Sequence, residues 1–405
     1  MRLLTRYLSV SVAALFLFSA VRMAAAVEVS GRSSTQYIWF NDIVDGSRQA
    51  DLAEYLKVSI NGIDEDGKLS IKGYGRALYD VKNGGKVDNR LYYFFVDYKN
   101  FMGKTDIRLG RQFVYLSAGS ALLDGLQADI KNVGPVGFTV MGGRDVLFGE
   151  SGQLSSHVYS AGAAAYLTGV KNTDFDVSYY RVYDYSDLAR DILGSSFKQY
   201  LLDSVKLYAN ARYDLTAEVF NEALAGVKYF PTLNLMLTAE YFESYPTFDT
   251  TSIYSVFAVD KYKEDVLRAD YTMTQWLDIS AGYTHEYFDE GGRADVYEIG
   301  FKLRPSVRMT VGLFHDSRYG YGGNLNGYKV YAEYATFQKW TAAAGVDYDV
   351  YERDDMTGYV SARKYWIASR YKFTKNMSSS IRMEDNTNIN YDADLQGRLT
   401  FDYDF

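Results

Sequence analysis

Residues 395–405 read LQGRLTFDYDF. At alternate positions, Leu395, Gly397, Leu399, Phe401, Tyr403 and Phe405 form one set, and Gln396, Arg398, Thr400, Asp402 and Asp404 form the other. Successive side chains of a β-strand point to opposite faces. The stretch is therefore a strand with one apolar, aromatic face and one polar, charged face. A soluble sandwich could supply one such strand, so the fold is decided by how often the pattern returns.

It returns along the whole chain. In YKVYAEYA, Tyr328, Val330, Ala332 and Tyr334 oppose Lys329, Tyr331 and Glu333. In WTAAAGVDYDV, Trp340, Ala342, Ala344, Val346, Tyr348 and Val350 oppose Thr341, Gly345, Asp347 and Asp349. SVKLYANARYDLTAEV, LDISAGYTHEY, LNLMLTAEYF, DVYEIGFKL and KLSIKGYGRALY behave alike. The segments run about 9 to 15 residues, longer than a soluble strand and long enough to cross a bilayer at a tilt. Short connections (DEDG, NFMGK, NVGPVG, FPTLN, LRPS, FTKN) separate them from longer ones at 41–49, 81–89, 114–125, 146–157, 184–200, 244–262, 316–326, 351–358 and 385–394. All four prolines (Pro135, Pro231, Pro246, Pro305) lie in proposed connections, as expected of a residue that cannot donate to a ladder.

Both chain ends belong on the short-turn side, so the strand number is even. Eleven strands from about Ala223 to Phe405 and nine from Val27 to Asp184 give about 20. The stretch 201–219 could add a pair and a weak strand near Leu126–Ile130 could remove one, for a range of 18 to 22. The expected fold is all-β: a closed antiparallel transmembrane barrel with short periplasmic turns and long extracellular loops.

Residues 1–26 combine Arg2 and Arg6, the apolar run YLSVSVAALFLFSAV and a small-residue MAAAV, and read as a signal peptide cut after Ala26. Residues 27–405 then form one barrel domain. The formal charge is −8, and excising 1–26 removes three arginines and no acid, leaving −11. An acidic secreted chain is a poor nucleic-acid partner. Cysteine is absent, which excludes disulfides, thiolate metal sites and covalent c-type haem on this chain.

An open sheet cannot span lipid, so the apolar faces must line the outside of a closed one. The inner set carries both signs, from Arg32, Lys57, Lys72, Arg76 and Arg398 to Asp97, Glu240, Glu333, Asp347 and Asp402. Charges in that number require water, because an unpaired buried charge costs several kcal/mol. A barrel of about 20 strands is wide enough for a water-filled lumen.

The chain resembles Gram-negative outer-membrane β-barrels of the porin type. RLTFDYDF, with Phe401, Tyr403 and Phe405, is similar to the terminal signature read by the barrel-assembly machinery. DIRLGRQF (Asp106–Phe113) is similar to a G-R-Q segment of large porin families and leads into VYLSAGSALLDG, the third long loop. In general porins that loop folds into the lumen. The P-E-F-G-G motif of trimeric porins is absent, so the resemblance implies no trimer, and self-association stays open. More loosely, FPTLNLMLTAEYFESYPTFD and SIYSVFAVDKY resemble barrels of metal-reducing bacteria, some of which sheathe multihaem cytochromes. The partners so implied are lipid and lipopolysaccharide, the assembly machinery and, on the looser resemblance, a cytochrome. The location is the outer membrane.

Three functions follow for comparison: passive diffusion of small hydrophilic solutes or ions, a sheath around a cytochrome, and a channel specific for sugars or organic acids. Arg108, Arg111, Asp124, Arg144 and Glu150, on or beside the third and fourth loops, are the candidate constriction residues, with cross-strand pairing on the wall as the alternative. Lumenal Tyr74, Tyr93, Tyr208 and Tyr331 would suit sugars. His157, His285 and His315 are scattered, and no G-x-S-x-G, H-E-x-x-H or phosphate loop occurs, so neither enzyme chemistry nor a cofactor is expected.

Overall fold

The computed structural model describes residues 27–42, 46–85, 87–146, 153–247, 250, 261–336, 339–352, 358–389 and 391–405. Residues 1–26, which the sequence reading takes as a signal peptide, lie outside the described residues, as do Glu150 and most of the loop 244–262.

Among the described residues, 22 strands follow one another up and down. The first eleven are β1 (Glu28–Asn41), β2 (Arg48–Asn61), β3 (Leu69–Asp80), β4 (Asp88–Phe101), β5 (Thr105–Leu116), β6 (Gly119–Val133), β7 (Val136–Val146), β8 (Leu154–Val170), β9 (Thr173–Asp184), β10 (Asp187–Leu201) and β11 (Val205–Asp214). The others are β12 (Val219–Thr232), β13 (Leu235–Ser244), β14 (Tyr262–Thr274), β15 (Leu277–Phe288), β16 (Arg293–Ser306), β17 (Met309–Gly320), β18 (Leu325–Thr336), β19 (Trp340–Glu352), β20 (Tyr359–Lys372), β21 (Met377–Asn388) and β22 (Tyr391–Asp404). Each pairs antiparallel with its chain neighbours, and β22 closes onto β1 from Arg32↔Asp404 to Trp39↔Gly397. Phe405 extends the seam: its N–H donates to the Gly31 carbonyl at 3.0 Å and its carbonyl accepts from Gly31 N–H at 2.9 Å.

The count is at the top of the expected range. Nine strands precede Asp184 and eleven follow Val219, as the sequence suggests, and the added pair is β10 and β11. The proposed loop 184–200 is thus a tight turn at 185–186 followed by a full strand. Pro231 and Pro305 fall inside the ends of β12 and β16, where the register shifts between Tyr229 and Thr232 and between Leu303 and Ser306 and no ladder donor is required.

The apolar sets point outward. Leu109, Leu126, Val140, Leu193, Leu267, Val330, Ile367 and Leu399 are all exposed on that face. Aromatic side chains line its periplasmic edge: Trp340 opposes Tyr371 in register, and Tyr371 packs edge-on against Phe373 at 5.1 Å. A belt of this kind, turned to solvent, would be an aggregation surface; turned to lipid it needs no cover.

Candidate functional site

The lumen is not uniform, because one hairpin leaves the wall. β4 pairs with β5 only up to Phe94↔Arg111, and β6 pairs with β7 only up to Leu123↔Asp145. Between those limits, residues 112–122 pair only across their own hairpin. The bend falls on a row of glycines in register, Gly110↔Gly125↔Gly143. Gly110 has φ +123°, a conformation that L side chains avoid, and a Cβ there would also meet the Phe94 carbonyl. Inside the bend, the Gln112 amide donates to the carbonyls of Gly125 (3.0 Å) and Arg108 (3.3 Å).

Beyond the bend the hairpin lies across the lumenal side of β7–β11 as a flap. Val114, Leu116, Ala118, Ala121 and Leu123 pack against Met141, Tyr180, Val182, Ala189 and Ile192, and all are buried. The tip is latched. Ala118 N–H donates to Ser178 Oγ at 2.7 Å, the Ser117 and Ser178 hydroxyls share a hydrogen bond of 2.6 Å, and Arg212 Nε donates to the Ser117 carbonyl at 2.9 Å. Gly194 lies directly beneath Ala118, where a Cβ would strike its backbone. With one face seated on the wall, the flap turns its other face, with Phe113 and Tyr115 at 53% and 67% exposure, toward the open lumen.

The candidate constriction residues divide by register. Arg108 shares a face with Asp97 and points inward; its Nε is 3.5 Å from Asp97 and its guanidinium lies 4.5 Å above the Phe95 ring. Arg111, Asp124 and Arg144 are opposite one another on the face that carries Leu109, Leu126 and Val140 lower down. Arg111 holds Asp124 through Nε (2.8 Å) and Nη2 (3.0 Å) and donates to the Leu91 carbonyl at 3.2 Å, on the β4 edge that β5 has left. Arg144 donates to the Tyr159 hydroxyl at 2.9 Å. Glu150 is outside the described residues. The three histidines lie on separate strands: His157 stacks on Tyr185 at 4.3 Å, His285 Nδ1 is 2.6 Å from Asp295, and His315 is 3.0 Å from the Gly327 carbonyl.

Away from the flap the inner wall is polar and densely paired. Arg268 meets Glu298 at 3.3 Å and Lys364 meets Asp347 at 3.6 Å. On β20–β22 the balance turns positive: Arg382 lies directly opposite Arg398, with Arg370 nearby. Arg382 is 3.3 Å from Glu384 and 4.7 Å above the Trp366 ring, and Arg370 donates to Ser378 at 3.2 Å. Sequence reasoning missed Phe113 and Tyr115. Their signal is the run of aromatic and branched residues FVYL (Phe113–Leu116), a strand-forming composition that enters the stretch read as the loop 114–125.

A closed up-and-down sheet with an apolar outer belt and a charged inner wall defines a transmembrane β-barrel of the outer-membrane type. No protein-family model matches the chain, and no curated protein does. Among solved structures it is similar to the outer membrane protein OpdK of Pseudomonas aeruginosa, at 10% identity and a TM-score of 0.49 over 93% of this chain and 98% of that one. It is similar also to OccAB4 of Acinetobacter baumannii, at 9% identity and 0.49 over 95% and 99%. These figures describe a likeness of overall form alone.

Proposed function

We propose that the protein is an outer-membrane channel that passes small hydrophilic solutes and ions by passive diffusion. The observation that carries this is the inner wall: half-exposed ion pairs beside a flap that is seated on one sector and leaves Phe113 and Tyr115 exposed. Charged side chains of both signs keep the passage wet, and a fixed flap sets its width. Arg108 lines the passage in this reading, together with Phe113 and Tyr115, while Arg111, Asp124 and Arg144 brace the bend from the outer side. The sheath alternative places a cytochrome in the lumen, and the flap takes part of the space such a partner needs. The test is reconstitution in a planar bilayer. Ohmic current steps, with swelling of proteoliposomes in small neutral solutes, support the channel. A non-conducting barrel that purifies with a haem protein would overturn it.

A further inference from the structure

The open sector of the lumen carries a continuous run of aromatic rings on β2, β3 and β4. Tyr55 stacks on Tyr74 at 6.3 Å, and Tyr74 stacks on Tyr92 at 4.8 Å and meets Tyr93 at 5.7 Å. Tyr93 meets Phe95 at 5.6 Å. Regular alternation would send Tyr92 to the lipid side. Here the β3–β4 register shifts between Tyr74 and Gly75, pairing them with Tyr93 and Leu91 and leaving Tyr92 as the extra residue. The bulge turns two consecutive tyrosines to one face, and both touch Tyr74. Bulges that re-aim a side chain recur beside binding sites.

Two of the cations beside the rings are held in ion pairs. Arg76 is 2.5 Å from Asp88 and Arg108 is 3.5 Å from Asp97. Arg90 lies 5.2 Å above Tyr92, and Lys57 is directly opposite Tyr74 in register. The rings and these polar groups together form one path along the wall. It offers flat apolar faces for the C–H side of a pyranose and fixed polar partners for its hydroxyls. An apolar aromatic solute would use the rings and leave the polar partners unmatched.

We propose that Tyr55, Tyr74, Tyr92, Tyr93 and Phe95 form a saccharide track along which a short neutral sugar chain passes. The assignment rests on the channel reading above. The track binds weakly enough to release its ligand, because each ring contributes the modest energy of one stacking contact.

The test uses the full-length barrel in planar bilayers, with a linear glucose trisaccharide as probe and benzoate as the competing class. The trisaccharide should interrupt the ion current reversibly, and Tyr74→Ala and Tyr92→Ala should each weaken binding by about 3- to 10-fold. Tyr74→Phe, which keeps the ring, should stay within about twofold, and Tyr262→Ala, on β14, should bind as the unmodified protein does. Calorimetry of the same variants in detergent gives binding without reference to current. Absence of any ionic current sinks the channel reading. Normal current with no trisaccharide binding, binding indifferent to Tyr74→Ala and Tyr92→Ala, or binding of benzoate in preference to the sugar overturns the track.

Discussion

Removing the flap should widen the pore by a calculable amount. Gln112 and Leu123 are directly opposite, so residues 113–122 can be replaced by Asn-Gly, the two-residue turn that joins such a pair. Twenty-two strands about 4.8 Å apart and tilted about 40° enclose a wall of radius about 22 Å. A side-chain layer of about 5 Å leaves a passage of radius about 17 Å and area about 900 Å². The flap arm from Gln112 to Ser117 is about 20 Å long, and a sheet with its side chains is about 10 Å thick, so it blocks about 200 Å². Single-channel conductance in a planar bilayer should therefore rise by up to about 1.3-fold. The barrel should still form, because the ladders below Arg111 and Leu123 do not involve the deleted residues. Unchanged or smaller current steps, from a variant whose gel mobility shows an intact barrel, would refute the placement of the flap in the conducting path.

Ile367→Arg, on the exposed outer face of β20, should destabilise the barrel in lipid by about 2–4 kcal/mol, read by urea titration in liposomes; a negligible change would mean that this face does not meet lipid. Arg108→Ala should move the reversal potential in a salt gradient toward cation preference, whereas Arg144→Ala, on the outer face, should leave it in place. Gly110→Val should cost at least about 1–2 kcal/mol in the same titration, because it forces a β-branched residue to positive φ, while Gly142→Ala, whose Cβ would lie 3.7 Å from its nearest neighbour, should be tolerated. Ile192→Asp would bury an unpaired carboxylate under the flap; the flap should lift, and chymotrypsin should cleave after Phe113 or Tyr115 in this variant but not in the parent.

Most of the wall was legible because its two faces meet different solvents. β18, β19 and β22 present lipid on one side and water on the other, and their sequences alternate accordingly. β10 was hidden for the opposite reason. Its lumenal face at Ile192 and Gly194 is covered by the flap, so the apolar–polar contrast is lost there, and a bulge between Leu188 and Arg190 breaks the period as well. The flap itself reads as a loop in the sequence because Val114, Leu116, Ala121 and Leu123 look like a plain apolar run when neither face is known to be dry. The sequence groups Arg111, Asp124 and Arg144 with Arg108 because loop membership does not specify a face; register does. Tyr92 was beyond reach, since its direction depends on a bulge that no residue type announces.

The loss of alternation is itself informative. In a barrel filled with water, a lumenal position has no reason to be apolar unless something covers it. Met141, Tyr180, Val182 and Ile192 lie on the polar side of β7, β9 and β10, and together they mark a dry footprint. The flap supplies a complementary apolar face from the only hairpin that detaches from both neighbours among the described residues. The footprint confines the wet passage to the remaining sector, β12–β22 with β1–β4. Both polar devices of the wall fall in that sector, the arginines of β20–β22 and the tyrosines of β2–β4. In the channel proposed above, Phe113 and Tyr115 on the flap share the passage with those residues, so the hairpin sets both the width of the passage and which side chains it displays.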